Sequence, residues 1–258
     1  MSTKLISDSQ TVEHDQDRPL SSPIARRSFF KYAGATAGAT ALVLAGCSKS
    51  DSTPGTVNVG SGDAGVLNYA YALEQLEAAF YTQVRTGTYY TGLATTHPER
   101  QILDDLYYHE VIHRDFLRIA IADVAKATPI KALTPDFSKI DFNSRTSVLG
   151  TAKAFEDLGV AAYNGAGQYI SSAVYLYIAG KIVSVEARHA AIIRDLVTEG
   201  NFVGNDVITL TTASNSSVTN NNALANTSLE RAKSPSEVAA VANTFLAEGS
   251  KIDVSGIR

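Results

Sequence analysis

A glutamate and a histidine three residues apart occur twice in stretches that read as helix: Glu110 and His113 in HEVIH (109–113), and Glu186 and His189 in VEARHA (185–190). Positions i and i+3 lie on one face of a helix, so each pair points one way. Around the second pair, Ile178, Ile182, Ile193 and Leu196 continue the stripe in steps of three and four, on the side that should meet a core. Two lone glutamates, Glu74 and Glu156, occupy the same place in two further seams, and each is followed seven residues later by a tyrosine, Tyr81 and Tyr163. The chain order is Glu, Glu-x-x-His, Glu, Glu-x-x-His, which divides into two similar halves.

Carboxylates and imidazoles gathered in an apolar core point to metal chemistry. A buried carboxylate stays ionised only if its charge is neutralised. Four glutamates and two divalent cations balance. Oxygen and nitrogen donors suit iron or manganese, and zinc also fits. The competing reading of a single Glu-x-x-His is a surface pair or a hydrogen-bonded core pair, but two in register with two seam glutamates favour a site. Glu77 is an additional carboxylate whose counterpart in the second half is Gly159; it is a further ligand, a neighbour of the ligands or a surface residue. Tyr81 and Tyr163 are expected to pack beside the site and to hydrogen-bond its ligands. His97 and His109 are read as structural or exposed.

Four long helices are expected to position these groups: Asp63, as N-cap, to Gly87; Pro98 to Thr128, before Pro129; Ser147 to Ile170; and Ser172 to Gly200. Gly159, Gly165 and Gly167 weigh against a regular third helix. About ten residues join the first two helices and very few the last two, so each pair can form an antiparallel hairpin. About 18 residues, Pro129 to Thr146, join the hairpins and can span roughly 60 Å at about 3.3 Å per residue. That is enough to cross from one end of a bundle to the other. The expected fold is all-α, a four-helix bundle with one long crossover between the second and third helices, plus a short C-terminal helix within 234–249 capped by Ser234 or Ser236.

The ordered set resembles the ferritin-like di-iron or di-manganese carboxylate proteins, over about residues 63–200. LEQLEAAFY (73–81), HEVIH (109–113), FEDLGVAAYNGA (155–166) and VEARHA (185–190) are similar to an exported bacterial branch, the ferritin-like domain proteins, related to plant desiccation-associated proteins. The resemblance implies that Glu74 is a terminal ligand with Glu110 and His113, that Glu156 takes the matching place with Glu186 and His189, and that Glu110 and Glu186 bridge two metal ions.

With 258 residues, 45% of them hydrophobic, and a net charge of −4, the chain suits one globular domain with tails. It has no basic, aromatic-interleaved patch for nucleic acid. Its single cysteine excludes an intramolecular disulfide framework. Residues 1–46 read as a twin-arginine-type lipoprotein signal peptide: Arg26 and Arg27 in ARRSFFK, a small apolar run from Ala33 to Gly46, and LAGC (44–47), which resembles a lipobox placing the lipid on Cys47. Residues 47–62 are expected to be a flexible tether, 63–200 the bundle, and 201–258 a loop and short helix without chemistry.

The functional expectation is an exported, membrane-anchored envelope protein, periplasmic or on the cell surface, with a dinuclear centre acting on oxygen or peroxide as ferroxidase, peroxidase or catalase-like enzyme. The alternative is a stress-protective or scaffolding protein whose metal is structural or absent. Association between bundle faces is compatible with either.

Overall fold

The computed structural model describes residues 55–204, 206–208 and 229–258. The expected signal peptide, Cys47 and the Asn- and Ser-rich run at 214–222 lie outside the described residues. The architecture is the expected all-α bundle: α1 (Gly62–Val84), α2 (Pro98–Ile119), α3 (Arg145–Ala166) and α4 (Ala173–Val197), followed by the short α5 (Pro235–Ala242). The first helix packs chiefly along α2 and the third along α4, while α1 meets α3 and the two Glu-x-x-His helices touch only sparingly.

Helix ends follow local chemistry, and several differ from expectation. The first helix starts at Gly62, so Asp63 lies in its first turn rather than capping it; its carboxylate instead accepts from the backbone amides of Ser171 and Ser172, tying the start of α1 to the turn before α4. Pro98 opens α2, with His97 Nδ1 accepting from the Glu99 amide, which makes His97 a structural cap. The second helix ends nine residues before the expected Thr128, passing into a π-turn over Ala120–Val124. The third helix runs unbroken through Gly159 and Gly165 and tightens into a 3-10 turn only at Gly167–Tyr169. Gly165 is there because the chain entering α5 passes against it: a Cβ would sit 1.8 Å from the Lys233 carbonyl oxygen. Ser234, not Ser236, caps α5 in a reciprocal capping box with Glu237.

The crossover is held along its length rather than merely spanning a gap. Asn68 of α1 donates to the Thr128 carbonyl and accepts from the Ile130 amide; two turns on, Gln75 donates to the Lys131 carbonyl and accepts from the Leu133 amide. These bonds explain two buried amides in an apolar helix face. Further along, the Thr134 amide donates to Ser250 Oγ and the Asp136 amide to the Phe245 carbonyl, so the C-terminal segment covers the crossover. Phe80, Phe137, Phe142, Phe155 and Phe245 pack as an aromatic group across these elements.

The expected tether needs correction at its C-terminal end. Val57–Asn58 (β1) pairs in parallel with Ile252–Asp253 (β2), and Val57, Val59, Ile252, Val254 and Ile257 are buried. Alternating valines in TVNV supply one apolar face to a short strand, and the end of the chain covers it. Beyond α4, buried Arg194 donates to both carboxylate oxygens of Asp157 on α3 and to both of Asp206, fastening the segment after α4 to the bundle. No described helix is long and apolar enough to cross a membrane.

Candidate metal centre

Mid-bundle, the four helices bring together Glu74 (α1), Glu110 and His113 (α2), Glu156 (α3), and Glu186 and His189 (α4). All four glutamates are fully buried, at 0% exposure. Glu74, Glu110, His113 and Glu186 each place one donor atom within 4.8 Å of the others, and Glu110, Glu156, Glu186 and His189 do the same. The two sets share Glu110 and Glu186. Each imidazole lies nearest the glutamate of the opposite Glu-x-x-His helix: His113 Nδ1 is 2.9 Å from Glu186 Oε1 but 3.6 Å from Glu110 Oε2, and His189 Nδ1 is 2.9 Å from Glu110 Oε1 but 3.8 Å from Glu186 Oε2. Glu74 Oε2 stands 3.5 Å from His113 Nδ1, and Glu156 Oε2 stands 3.4 Å from His189 Nδ1.

The tyrosines cross between halves. Tyr163 of α3 donates to Glu74 Oε1 of α1 at 2.5 Å, and Tyr81 of α1 donates to Glu156 Oε1 of α3. Each bond engages one oxygen and leaves Oε2 directed at the cluster. Glu77 is buried as well, which removes the surface reading, and it lies outside both donor sets. Gly159 makes room for it: a Cβ there would sit 3.1 Å from Glu77 Oε1 and 3.5 Å from Glu186 Oε2.

Among the described residues, every buried side-chain oxygen or nitrogen without an aligned hydrogen-bond partner belongs to this cluster, the Tyr69 hydroxyl apart: Glu74 Oε2, both oxygens of Glu110 and of Glu186, Glu156 Oε2, and Nδ1 of both histidines, whose 2.9 Å approaches to Glu186 and Glu110 are ion-pair contacts rather than aligned hydrogen bonds. Native cores leave very few such atoms, and several oxygens and nitrogens facing a common centre are a donor set that a cation would satisfy. The residues present therefore fit a pair of divalent ions.

Protons partly compensate the carboxylates in the metal-free chain. Burial alone would lower the His113 pKa, but Glu110, Glu186 and Glu74 beside it outweigh burial and push it up to about 12. His189 is raised well above its ordinary value in the same way by Glu110, Glu156 and Glu186. Burial, then repulsion from Glu186, raises Glu110; burial raises Glu156; burial, then the four neighbouring glutamates, raises Glu77 well above the carboxylate range. Glu186, although burial opposes it, is lowered because both imidazoles face it.

One participant escapes the sequence reading. His109 is exposed as expected, yet its Nδ1 lies 2.8 Å from His189 Nε2 and the rings stack at 5.0 Å. With His189 Nδ1 turned to the cluster, Nε2 carries the proton and donates it to His109. Burial and the charges of His189 and His113 lower the pKa of His109, which keeps it neutral and able to accept. The signal was present in HEVIH, where His109 sits one turn before His113 on the same face. We expect His109→Ala to weaken metal affinity roughly tenfold and His109→Gln to restore part of it, because a partner that orients a metal-bound imidazole is worth about that much. Metal titration checks this, and equal affinity in all three proteins refutes it.

A helical bundle with paired carboxylate and imidazole donors in its core defines the ferritin-like class. The family model of the ferritin-like domain matches residues 62–199, more than half of the chain. The chain belongs to the ferritin-like domain family. No curated protein matches the sequence.

Proposed function

We propose that the bundle holds two divalent ions, iron or manganese, with Glu74 and Glu156 as terminal carboxylates, His113 and His189 as nitrogen donors and Glu110 and Glu186 shared between the ions. The observation that carries this reading is the set of orphaned donor atoms, divided into two four-residue groups with Glu110 and Glu186 in common. Four carboxylates and two divalent ions are neutral together, while the all-oxygen-and-nitrogen donor set favours iron or manganese over metals that prefer thiolate. Zinc fits the donors but does not change oxidation state.

Two redox-active ions held this way would deliver electrons to oxygen or peroxide. The chain's own part is to position and insulate. Tyr81 and Tyr163 fix the terminal carboxylates, His109 orients His189, and the apolar helix faces exclude water so that charge inside the site acts in a low dielectric. Anaerobic Fe(II)-loaded protein mixed with oxygen or hydrogen peroxide should oxidise about two irons per chain faster than free iron does, and the Mn(II)-loaded protein should be assayed in parallel for peroxide disproportionation. Wild-type protein that binds metal yet exceeds the metal-only control in neither assay defeats the oxidoreductase reading and leaves the stress-protective or scaffolding one.

The cellular address belongs to the same proposal: export by the twin-arginine route and a lipid on Cys47, placing the bundle at a membrane surface of the envelope. The ARRSFFK and LAGC runs, in that order, support it. Wild type should fractionate with membranes and Cys47→Ser should remain unprocessed or be released; mass spectrometry of an unmodified Met1 terminus in the exported protein refutes it.

A further inference from the structure

The two sides of the bundle are unequally covered. The crossover is bonded to α1, and α5 packs on α1 and α3. Among the described residues, the large apolar side chains left exposed on the four long helices all fall on the other two: four on α2, five on α4 and none on α1 or α3. On α2, Tyr108, Ile112, Phe116 and Ile119 follow one another in steps of four, four and three, a row opposite the buried Leu103, Leu106, Glu110 and Leu117. A helix with one face in a core ordinarily turns polar groups outward. This one turns a second apolar row to solvent.

The exposed residues concentrate at one end. Asp63 in the first turn of α1 accepts from Ser171 and Ser172 ahead of α4, and Asn68 of α1 bonds to Thr128 and Ile130 beyond the end of α2. The start of α1, the end of α2 and the start of α4 therefore lie together. Phe116, Ile119, Val174 and Tyr177 stand at that end, with Ile112 one turn further in. The chain also enters the bundle there, since β1 closely precedes α1. Cys47 stands ten positions before Val57, so a lipid on Cys47 is tied within about 33 Å of β1, at about 3.3 Å per residue.

We propose that this end of the α2 and α4 face docks on the surface of a phospholipid bilayer, with Ile112, Phe116, Ile119, Val174 and Tyr177 entering the boundary between headgroups and acyl chains. Aromatic rings and branched aliphatics beside cations suit that boundary: Arg118 adjoins Ile119, and the Lys181 ammonium lies 5.5 Å from the Tyr177 ring centre. Asp115 is paired with Arg114, and Asp105 and Asp123 lie beyond the two ends of the row from Tyr108 to Ile119. A bilayer needs no shape match to side chains standing on two separate helix ridges. The choice of a bilayer over another partner draws on the Cys47 anchor proposed above, whereas the apolar face itself does not.

The chain has no tryptophan and a single cysteine, which shapes the test. Full-length protein is coupled through Cys47 to a maleimide lipid in vesicles of phosphatidylethanolamine and phosphatidylglycerol, whether or not the cell lipidates that residue. Tyr177→Trp and Val241→Trp, both at exposed positions, place one reporter on this face and one on α5. Brominated acyl chains should quench the Tyr177→Trp emission severalfold more than the Val241→Trp emission. Adding Phe116→Ser and Ile119→Ser should make the two equal, and Ile112→Ser, at 61% exposure, repeats the comparison with the least disturbance of packing. Equal quenching of both reporters without these changes, or quenching unaltered in a folded variant, overturns the proposal. So does a dimer in sedimentation without vesicles that the same substitutions dissociate, which gives the row to a second copy of the chain. Docking of the coupled protein, with Cys47 found unmodified in the exported protein, defeats the anchor and leaves the surface standing; a lipidated Cys47 without docking does the reverse.

Discussion

Glu110→Ala or Glu186→Ala should strip the chain of most of its metal, reducing affinity by more than the roughly 10- to 100-fold that loss of a supporting partner costs. Each is shared by both donor sets, so each substitution damages both positions. The isosteric change Glu110→Gln separates metal binding from folding. In the metal-free protein it replaces a carboxyl that burial and Glu186 force to take up a proton with a side chain that needs none, so Tm should rise by roughly 3 °C, about 1 kcal/mol in a domain of this size. In the metal-loaded protein it should lower Tm, because a donor is lost. Calorimetry with chelator and with excess Mn(II) gives both numbers. A substitution that moves both Tm values in one direction by the same amount contradicts the site.

The second large effect is an opposed pH dependence. The His113 pKa is raised from 6.5 to about 12 by the carboxylates around it. Its contribution to metal-free stability is therefore fully present below pH 6.5 and is lost as pH rises from there through about 12. His189 is raised likewise, and the raised pKa values of Glu110, Glu156 and Glu77 act with the same sign from their lower ordinary range. Metal binding runs the other way, since protons compete for the same imidazoles and carboxylates. The metal-free Tm should fall between pH 6 and pH 9 while the gain in Tm from saturating Mn(II) widens. Parallel curves for the two forms would show that these groups are not the ligands.

The bundle and the convergence of the six donor side chains were legible because both follow a helical period: a buried stripe with ionisable groups at its centre, four times over, leaves little choice of arrangement. What lay beyond the sequence is what depends on contacts between elements. HEVIH places His109 beside His113, but only the packing of α2 against α4 brings it to His189. Seven-residue spacing places Tyr81 near Glu74, yet Tyr81 bonds Glu156, because the seam of α1 faces α3. Residues near Val57 read as tether since their partner, the strand at Ile252, stands almost two hundred positions away. The end of α2 was overestimated because helical periodicity says nothing of where a π-turn absorbs the helix before a crossover.

The reciprocal bonds of Tyr81 to Glu156 and Tyr163 to Glu74 make the centre a joint property of the two halves. A hairpin of α1 and α2 alone would own a glutamate, a Glu-x-x-His pair and a tyrosine with nothing to brace. Two copies of such a hairpin, related by a two-fold axis, would satisfy every one of these contacts. The centre is thus closed by two corresponding halves of one polypeptide, with the crossover as their covalent link. The two halves are not identical: glutamate at 77 stands opposite glycine at 159, and histidine at 109 opposite valine at 185.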